Sequence, residues 1–246
     1  LILFTFAILV DVAILPWGAI HDLEQKPPRV TAFQQAYLDR QREAGRKATI
    51  KKQWRPLDRI SDHLIAAVIV AEDGTFWSHE GFDWFEVKES LVRNLKERRA
   101  ARGASTITQQ LIKNLFLSPS KNPLRKFHEF LLTWYAERVL SKRRILELYL
   151  NEIEWGRGIY GAEAAARSHF GISAADLTRD QAIRLAAVIP NPIRYQPMSG
   201  SRAVERRVEI VRRRLEARER VRGRAEDLSD EPEVGSTPSD TLEERP

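Results

Sequence analysis

Between residues 61 and 222, large apolar side chains return every third or fourth position, and stretches in which they alternate with polar ones are scarce. Residues at that spacing share one face of a helix, whereas a strand turns its side chains over at every residue. The spacing predicts helices over 84–99, 106–117, 124–140, 142–151, 161–169, 179–189 and 201–222. The segment HLIAAVIVAE, preceded by Ser61 and Asp62 as candidate caps, predicts one more, with Ile65, Val68, Ile69 and Glu72 on one face. The fold class is mainly α.

A chain of 246 residues, 43% of them hydrophobic, supports one domain of ordinary size with terminal appendages. The absence of cysteine excludes disulfides and thiolate metal sites, and a net charge of +6 favours an anionic partner: nucleic acid, membrane headgroups or a phosphorylated substrate. The first twenty residues, LILFTFAILVDVAILPWGAI, interrupt their apolar run only with Thr5, Asp11, Pro16 and Gly18. That length suits a transmembrane helix over 1–21. A cleaved signal peptide is the competing reading, although the run is longer than a usual signal core and lacks a clear small-residue cleavage site. Residues 22–53 then form a polar, basic juxtamembrane connector, and 54–224 the folded domain. Residues 225–246, AEDLSDEPEVGSTPSDTLEERP, are too poor in large apolar groups to repay ordering and are expected to be a disordered acidic tail. The five histidines are scattered without ligand spacing, so no dedicated metal site is expected.

Several stretches could carry chemistry. Glu72 and Asp73 stand together where the HLIAAVIVAE helix should end, facing the negative pole of the helix dipole. Burial and the dipole would both push the Glu72 pKa upward, which tunes a carboxylate for general-base work; a structural carboxylate held by a nearby Arg or Lys is the alternative. Asp83 could cap the next helix, and His79 could brace the loop between. In GASTITQQLIKN, Thr106 and Gln109 have capping-box spacing. Gln109 with Lys113, and Gln110 with Asn114, form an i,i+4 ridge suited to sugar hydroxyls and phosphate, or to plain solvation. Leu115, Phe116 and Leu117 could pack in the core or dip into a membrane surface. Arg125 and Glu129 have ion-pair spacing. Lys142, Arg143 and Arg144 follow a candidate Ser141 cap, at the wrong end of the dipole for cations.

Taken in order, EDGTFWSHEGFD, GASTITQQLIKN, RKFHE, SKRRILELYLNEIEWGRGIYGAEAAARSHFG and AAVIPNPIRYQP resemble the five motifs of the family 51 peptidoglycan glycosyltransferases. The likeness runs from about Trp54 to Pro197 and is to the monofunctional biosynthetic form, without a transpeptidase domain. It implies a lysozyme-like, mostly helical glycosyltransferase domain with a small mobile jaw, attached to the outer face of the cytoplasmic membrane. The implied reaction joins lipid II units into β-1,4-linked glycan strands with release of undecaprenyl diphosphate. The partners it implies are lipid II, the growing glycan chain and the membrane. Cell-wall synthesis or division proteins are further candidates, and nucleic acid is not expected.

The resemblance puts the family's catalytic glutamates at Glu72 and Glu129. Glu72 would act as general base on the acceptor 4-hydroxyl in an inverting transfer. Lys113, Arg125 and Lys126 would stabilise the leaving diphosphate, with Lys121 the nearest match to a further family cation. Gln109, Gln110 and Asn114 would contact donor sugars or order the jaw, and Lys142, Glu147, Tyr149 and Asn151 would shape the cleft floor. No cofactor is required, and a divalent cation, Mg2+ or Mn2+, assisting the diphosphate stays open. His169, where the family commonly has Tyr, and Trp155 depart from the pattern without touching the expected base. Two rivals remain: a lysozyme-like lytic enzyme cutting glycan with one Glu, and a tethered nucleic-acid or scaffold protein using KERRAAR and VRRRLEARERVRGR. In the second basic stretch, Glu alternates with Arg, and Val204, Val208, Val211 and Leu215 keep helical spacing, which favours an amphipathic helix.

Overall fold

The computed structural model describes residues 2–97, 105–117 and 123–229. Helix α1 (Ile2–Ala13) and the short α2 (Trp17–Asp22) divide the apolar N-terminal run. Pro16 separates them, because it has no amide to continue a helical ladder and its ring crowds the preceding turn. Ile20 and Leu23 are buried in the main core, and the Trp17 ring meets Tyr135 edge-on at 5.1 Å. Asp11 pairs with His128 at 2.6 Å. The single spanning helix expected over 1–21 is therefore not what the described residues form: among them no helix is long and apolar enough to cross a membrane.

Residues 22–53 carry α3 (Ala32–Glu43), opened by a capping box between Thr31 and Gln34, and β1 (Lys51–Lys52). Gln34 and Tyr37 of α3 are buried. After a 3-10 turn at Leu57–Arg59 come α4 (Asp62–Glu72), α5 (Trp84–Glu97), α6 (Ile107–Phe116), α7 (Pro123–Val139) and α8 (Lys142–Glu152). A small hairpin, β2 (Glu154–Gly156) and β3 (Ile159–Tyr160), follows. The chain ends in α9 (Ala162–Phe170), a 3-10 turn at Ala174–Asp176, α10 (Arg179–Val188) and α11 (Arg202–Ser229). The three strands form one sheet in the order β1-β3-β2, with β1 parallel and β2 antiparallel to β3. Helical periodicity could not announce strands of two or three residues. Helix α11 continues through Ser229, five residues into the segment read as a tail; the rest of that segment lies outside the described residues.

Local signals account for most helix starts. Thr106 and Thr178 each accept the amide three residues on and receive the reciprocal glutamine, and Ser141 accepts the Arg144 amide. Asp83 accepts the Glu86 amide at 2.8 Å, capping α5. Ser61 sits at the α4 cap position but makes no capping bond; its hydroxyl donates to Leu177 O instead. Leu115 and Leu117 are buried and Phe116 packs against the core, so this trio takes the packing role rather than the membrane one.

Helix α4 packs against α10 and α11, while α6 lies against α7, α8 and α3. The core runs through all of these, from Leu64 and Val68 of α4 to Leu111 and Ile112 of α6, Leu146 and Tyr149 of α8, and Val204 and Val208 of α11. Burying a side chain such as Leu64 or Leu111 stabilises the fold by roughly 1.5–3 kcal/mol. The C-terminal end of α4 is joined to α6 by the bonds of Glu72 and Asp73 and to α11 by those of Arg214.

Candidate active site

The two adjacent carboxylates at the end of α4 have different fates. Asp73, buried, turns to the start of α6: its Oδ2 accepts the Ile107 amide at 2.9 Å, and both oxygens meet His79 Nε2 at 2.9 and 3.0 Å. At that helix start the dipole favours a carboxylate, so Asp73 joins the end of one helix to the beginning of another. His79 Nδ1 accepts the Gly81 amide, bracing the loop as its position suggested. Glu72 meets the next turn of α6 instead and lines, with Asp73 beside it, a cleft of about 990 Å³. The cleft is walled by the α6 residues Gln110, Lys113 and Asn114 and by Arg207, Arg214 and Arg218 of α11.

A three-member relay fixes the Glu72 carboxylate. Gln110 Nε2 donates to Glu72 Oε2 at 2.9 Å, and Tyr149 O–H donates to Gln110 Oε1 at 3.0 Å. The Tyr149 hydroxyl commits the amide oxygen, which leaves the Gln110 NH2 as the end that faces Glu72. Burial, together with the charges of Glu72 and Asp73, holds the Tyr149 pKa well above its ordinary value, so the hydroxyl remains a donor. Burial also raises the Glu72 pKa, against the opposing pull of the Gln110 hydrogen bond and the cations Arg207, Lys113 and Arg214. The result is a desolvated carboxylate with one donor and three nearby positive charges, suited to taking up a proton.

Lys113, one helical turn beyond Gln109 and Gln110, connects this carboxylate to a second cluster. Burial pulls its pKa down and Glu129 holds it up; Arg125 and Lys126 act against protonation, while Glu72 supports it. Glu129, itself buried, meets the ammonium of Lys126 and lies 3.6 Å from Arg125. Arg125 Nε is buried and has no acceptor. Three cations around one buried Glu form a site that an anionic group can enter by replacing carboxylate contacts.

Other residues expected at the site serve the scaffold. Gln109 closes the α6 capping box through the Thr106 amide. Lys142 pairs with Glu137 at 2.9 Å and lies over the Phe76 ring. Glu147 accepts the Leu57 amide at 2.8 Å and pairs with Arg144, and Asn151 exchanges two hydrogen bonds with the Arg55 backbone. None of these four lines the cleft. Asn114 does, while its amide donates to Gln110 O. Lys121 lies outside the described residues. Among the described residues no three His, Asp or Glu side chains are grouped to hold a metal ion.

The α11 arginines were missing from the sequence reading because their stretch has the pattern of a solvated amphipathic helix. The signal that could have found them is register: Arg207, Arg214 and Arg218 fall on one face with Val211. Arg207 Nε donates to Ala187 O at 2.6 Å, tying α11 to α10, and Arg214 reaches the Val70 and Ala71 carbonyls at 3.4 and 3.3 Å. These are among the last carbonyls of α4, where a cation complements the dipole.

A helical domain with a desolvated cleft carboxylate, flanked by cations and an amide donor, has the equipment of an enzyme that transfers glycosyl groups from a charged leaving group. A family model described as Transglycosylase matches residues 40–216. Proteins named biosynthetic peptidoglycan transglycosylase are similar over most of their length. That of Thiobacillus denitrificans is 50% identical over 197 residues, covering 80% of this chain and 83% of its own. The one from Nitrosospira multiformis is 51% identical over 168 residues, covering 68% and 73%. The one from Dechloromonas aromatica is 44% identical over 204 residues, covering 83% and 86%. The chain belongs to the transglycosylase family and is a glycosyltransferase.

Proposed function

We propose that the protein polymerises lipid II into β-1,4-linked peptidoglycan strands, releasing undecaprenyl diphosphate, in bacterial cell-wall synthesis. The observation that carries this reading is the Tyr149–Gln110–Glu72 relay opening on a cleft that also holds Lys113. Glu72 takes the proton from the acceptor 4-hydroxyl as that oxygen forms its bond to the donor anomeric carbon. The bond from that carbon to the diphosphate oxygen breaks, and configuration inverts from α to β. The departing diphosphate keeps its electron pair and needs no proton, because Lys113, with Arg125 and Lys126 beside it, supplies positive charge. Glu129 holds those cations in place until the diphosphate arrives.

A membrane-facing position supports the use of a lipid-linked substrate. Large apolar side chains are exposed on and just after α1 (Phe6, Leu9, Val10, Ile14), at the start of α5 (Trp84, Phe85) and along α7 (Leu124, Phe127, Phe130, Trp134). Phe82 joins two of these groups, stacking on Trp84 and meeting Phe130 at 4.7 Å, while the Asp11–His128 pair ties α1 to α7. We read this surface as resting in the outer leaflet of the cytoplasmic membrane, with the start of α5 belonging to the mobile jaw.

Incubating the protein with labelled lipid II tests the reading. Chain growth by the wild type that is lost in Glu72→Gln supports it. A raised Glu72 pKa also suits a lytic acid, so the same protein is offered purified glycan. Soluble muropeptides from that glycan, without growth from lipid II, would overturn synthesis in favour of cleavage.

A further inference from the structure

The cleft has two cationic walls, and the reaction above uses only one. Lys113 of α6 lines one side, and the Arg125–Lys126 pair of α7 acts on it from outside the lining. On the opposite wall, α11 presents Arg207, Ile210, Val211, Arg214, Ala217 and Arg218. These positions follow three-and-four spacing, so they form one stripe, and the eleven steps from Arg207 to Arg218 at 1.5 Å rise give it a length of about 16 Å along the cleft. That distance is comparable to a disaccharide with its first substituents.

The acids of α11 keep off this stripe. Glu205 pairs with Arg184, Glu209 with Arg212 and Arg213, and Glu219 with Arg179. No carboxylate pairs with Arg207, Arg214 or Arg218 among the described residues. Of the acids lining the cleft, Asp73 is held by His79 and the Ile107 amide, Asp83 by Thr75 and the Glu86 amide, and Glu154 by the Gly158 amide, while Glu72 feels Arg207 and Arg214 as nearby charges without an ion pair. Arg207 is committed to Ala187 O, and Arg214 spends one guanidinium nitrogen on the α4 carbonyls. Arg218, farthest along the stripe from Arg207, meets no acceptor among the described residues. A guanidinium carries five donors in a planar fork that matches carboxylate or phosphate.

We propose that Arg214 and Arg218 form an oxyanion subsite on the α11 wall, which receives an anionic group of the acceptor substrate while its 4-hydroxyl lies at Glu72. The inference rests on the polymerase reading and names a specificity element of that same cleft. The exposed Ile210 and the small Ala217 leave apolar surface beside the guanidinium groups, as an amphiphilic sugar-peptide needs. Two groups on such an acceptor share the required chemistry: the free carboxylates of its peptide and its own diphosphate.

The test measures lipid II polymerisation by wild type, Arg218→Gln, Arg214→Gln and Arg218→Lys, with a normal acceptor and with one whose peptide carboxylates are amidated. KM for the normal acceptor should rise about tenfold in Arg218→Gln with kcat little changed, and Arg218→Lys should recover part of it. A penalty that vanishes with the amidated acceptor assigns the subsite to the carboxylates; one that persists assigns it to the diphosphate. An unchanged KM in both glutamine variants overturns the subsite. A second readout does not depend on turnover: the Arg214 and Arg218 Nε–H signals are followed by NMR during titration with inorganic pyrophosphate and with a short acidic peptide. A response of these signals to either probe supports the subsite, and silence to both overturns it. Absence of chain growth by the wild type would sink the polymerase reading alone, and the titration would still decide whether the arginines bind an oxyanion.

Discussion

Replacing Tyr149 by Phe removes one oxygen atom and tests whether the orientation of Gln110 sets the state of the base. The Tyr149 hydroxyl donates at 3.0 Å to Gln110 Oε1, and Gln110 Nε2 donates at 2.9 Å to Glu72. Without the hydroxyl, the Gln110 oxygen loses its donor, at a stability cost of about 1–3 kcal/mol. The amide can then turn over, presenting oxygen to the carboxylate and withdrawing a hydrogen bond worth about 1.5–3 kcal/mol to a charged acceptor. That bond now opposes the upward push of burial on the Glu72 pKa, so its loss moves the pKa higher still. Glu72 must be ionised to accept a proton, and each 1.4 kcal/mol is a factor of about ten in the ionised fraction below its pKa. Tyr149→Phe should therefore move the ascending limb of the kcat/KM profile for lipid II polymerisation to higher pH. At a fixed pH on that limb, rate should fall about tenfold or more, with partial recovery as pH is raised. A wild-type pH profile, with only a lower melting temperature, would show that Tyr149 merely fills space and would refute the relay.

Glu72→Gln should reduce chain growth by about 10²- to 10⁴-fold, the range for loss of a general base, with circular dichroism and melting temperature retained; near-normal growth would remove Glu72 from that role. Glu152, buried against Lys52 and Gln34, has its pKa pushed up to about 7 by burial, with both partners opposing. Its proton is held more tightly in the folded state, so this contribution is full below about pH 4.5, fades as pH rises and is gone above about 7. With about 1.4 kcal/mol per pH unit of separation, Glu152→Gln should flatten a change of about 3 kcal/mol in chemically measured stability. Glu163 shows the opposite sign: burial pushes its pKa up, but Arg55, the Ala174 amide, Ser173 and Arg167 outweigh it and hold it at about 2. Its stabilisation is present above about pH 4.5 and is lost on further acidification, so Glu163→Gln should lower the melting temperature at pH 7 and blunt acid unfolding. Trp84→Ser with Phe85→Ser should weaken sedimentation with anionic vesicles while leaving the melting temperature unchanged; undiminished vesicle binding would remove the start of α5 from the membrane face.

Most of the helical architecture was legible in the chain because helix-forming signals are local. Apolar spacing located α4 to α11, and the capping boxes at Thr106 and Thr178 depend only on residues three apart. The motif resemblance likewise pointed to Glu72 and to the α6 ridge. The N-terminal run was read as one spanning helix, whereas its described residues form two: hydropathy sees the apolar character but not that Pro16 divides the run, or that Ile20 finds a place in the core. The strands β1, β2 and β3 escaped because two or three residues are too few to show an alternating pattern, and because β1 pairs with a β3 partner about one hundred positions away.

For this protein, the sequence alone determined the mainly helical class, the carboxylate pair at the end of α4 and the glycosyltransferase motifs, all properties carried by neighbours along the chain. Only tertiary structure decided which way each carboxylate turns. Asp73 satisfies the start of α6, and Glu72 meets Gln110 one turn further along that helix, in the cleft that α11 also walls. Tertiary structure also gave Gln109, Lys142, Glu147 and Asn151 internal partners and brought three α11 arginines to the cleft. A residue's type sets which bonds and charges it can offer. Which partner receives them depends on how far each side chain is removed from water, and that is settled when the helices pack.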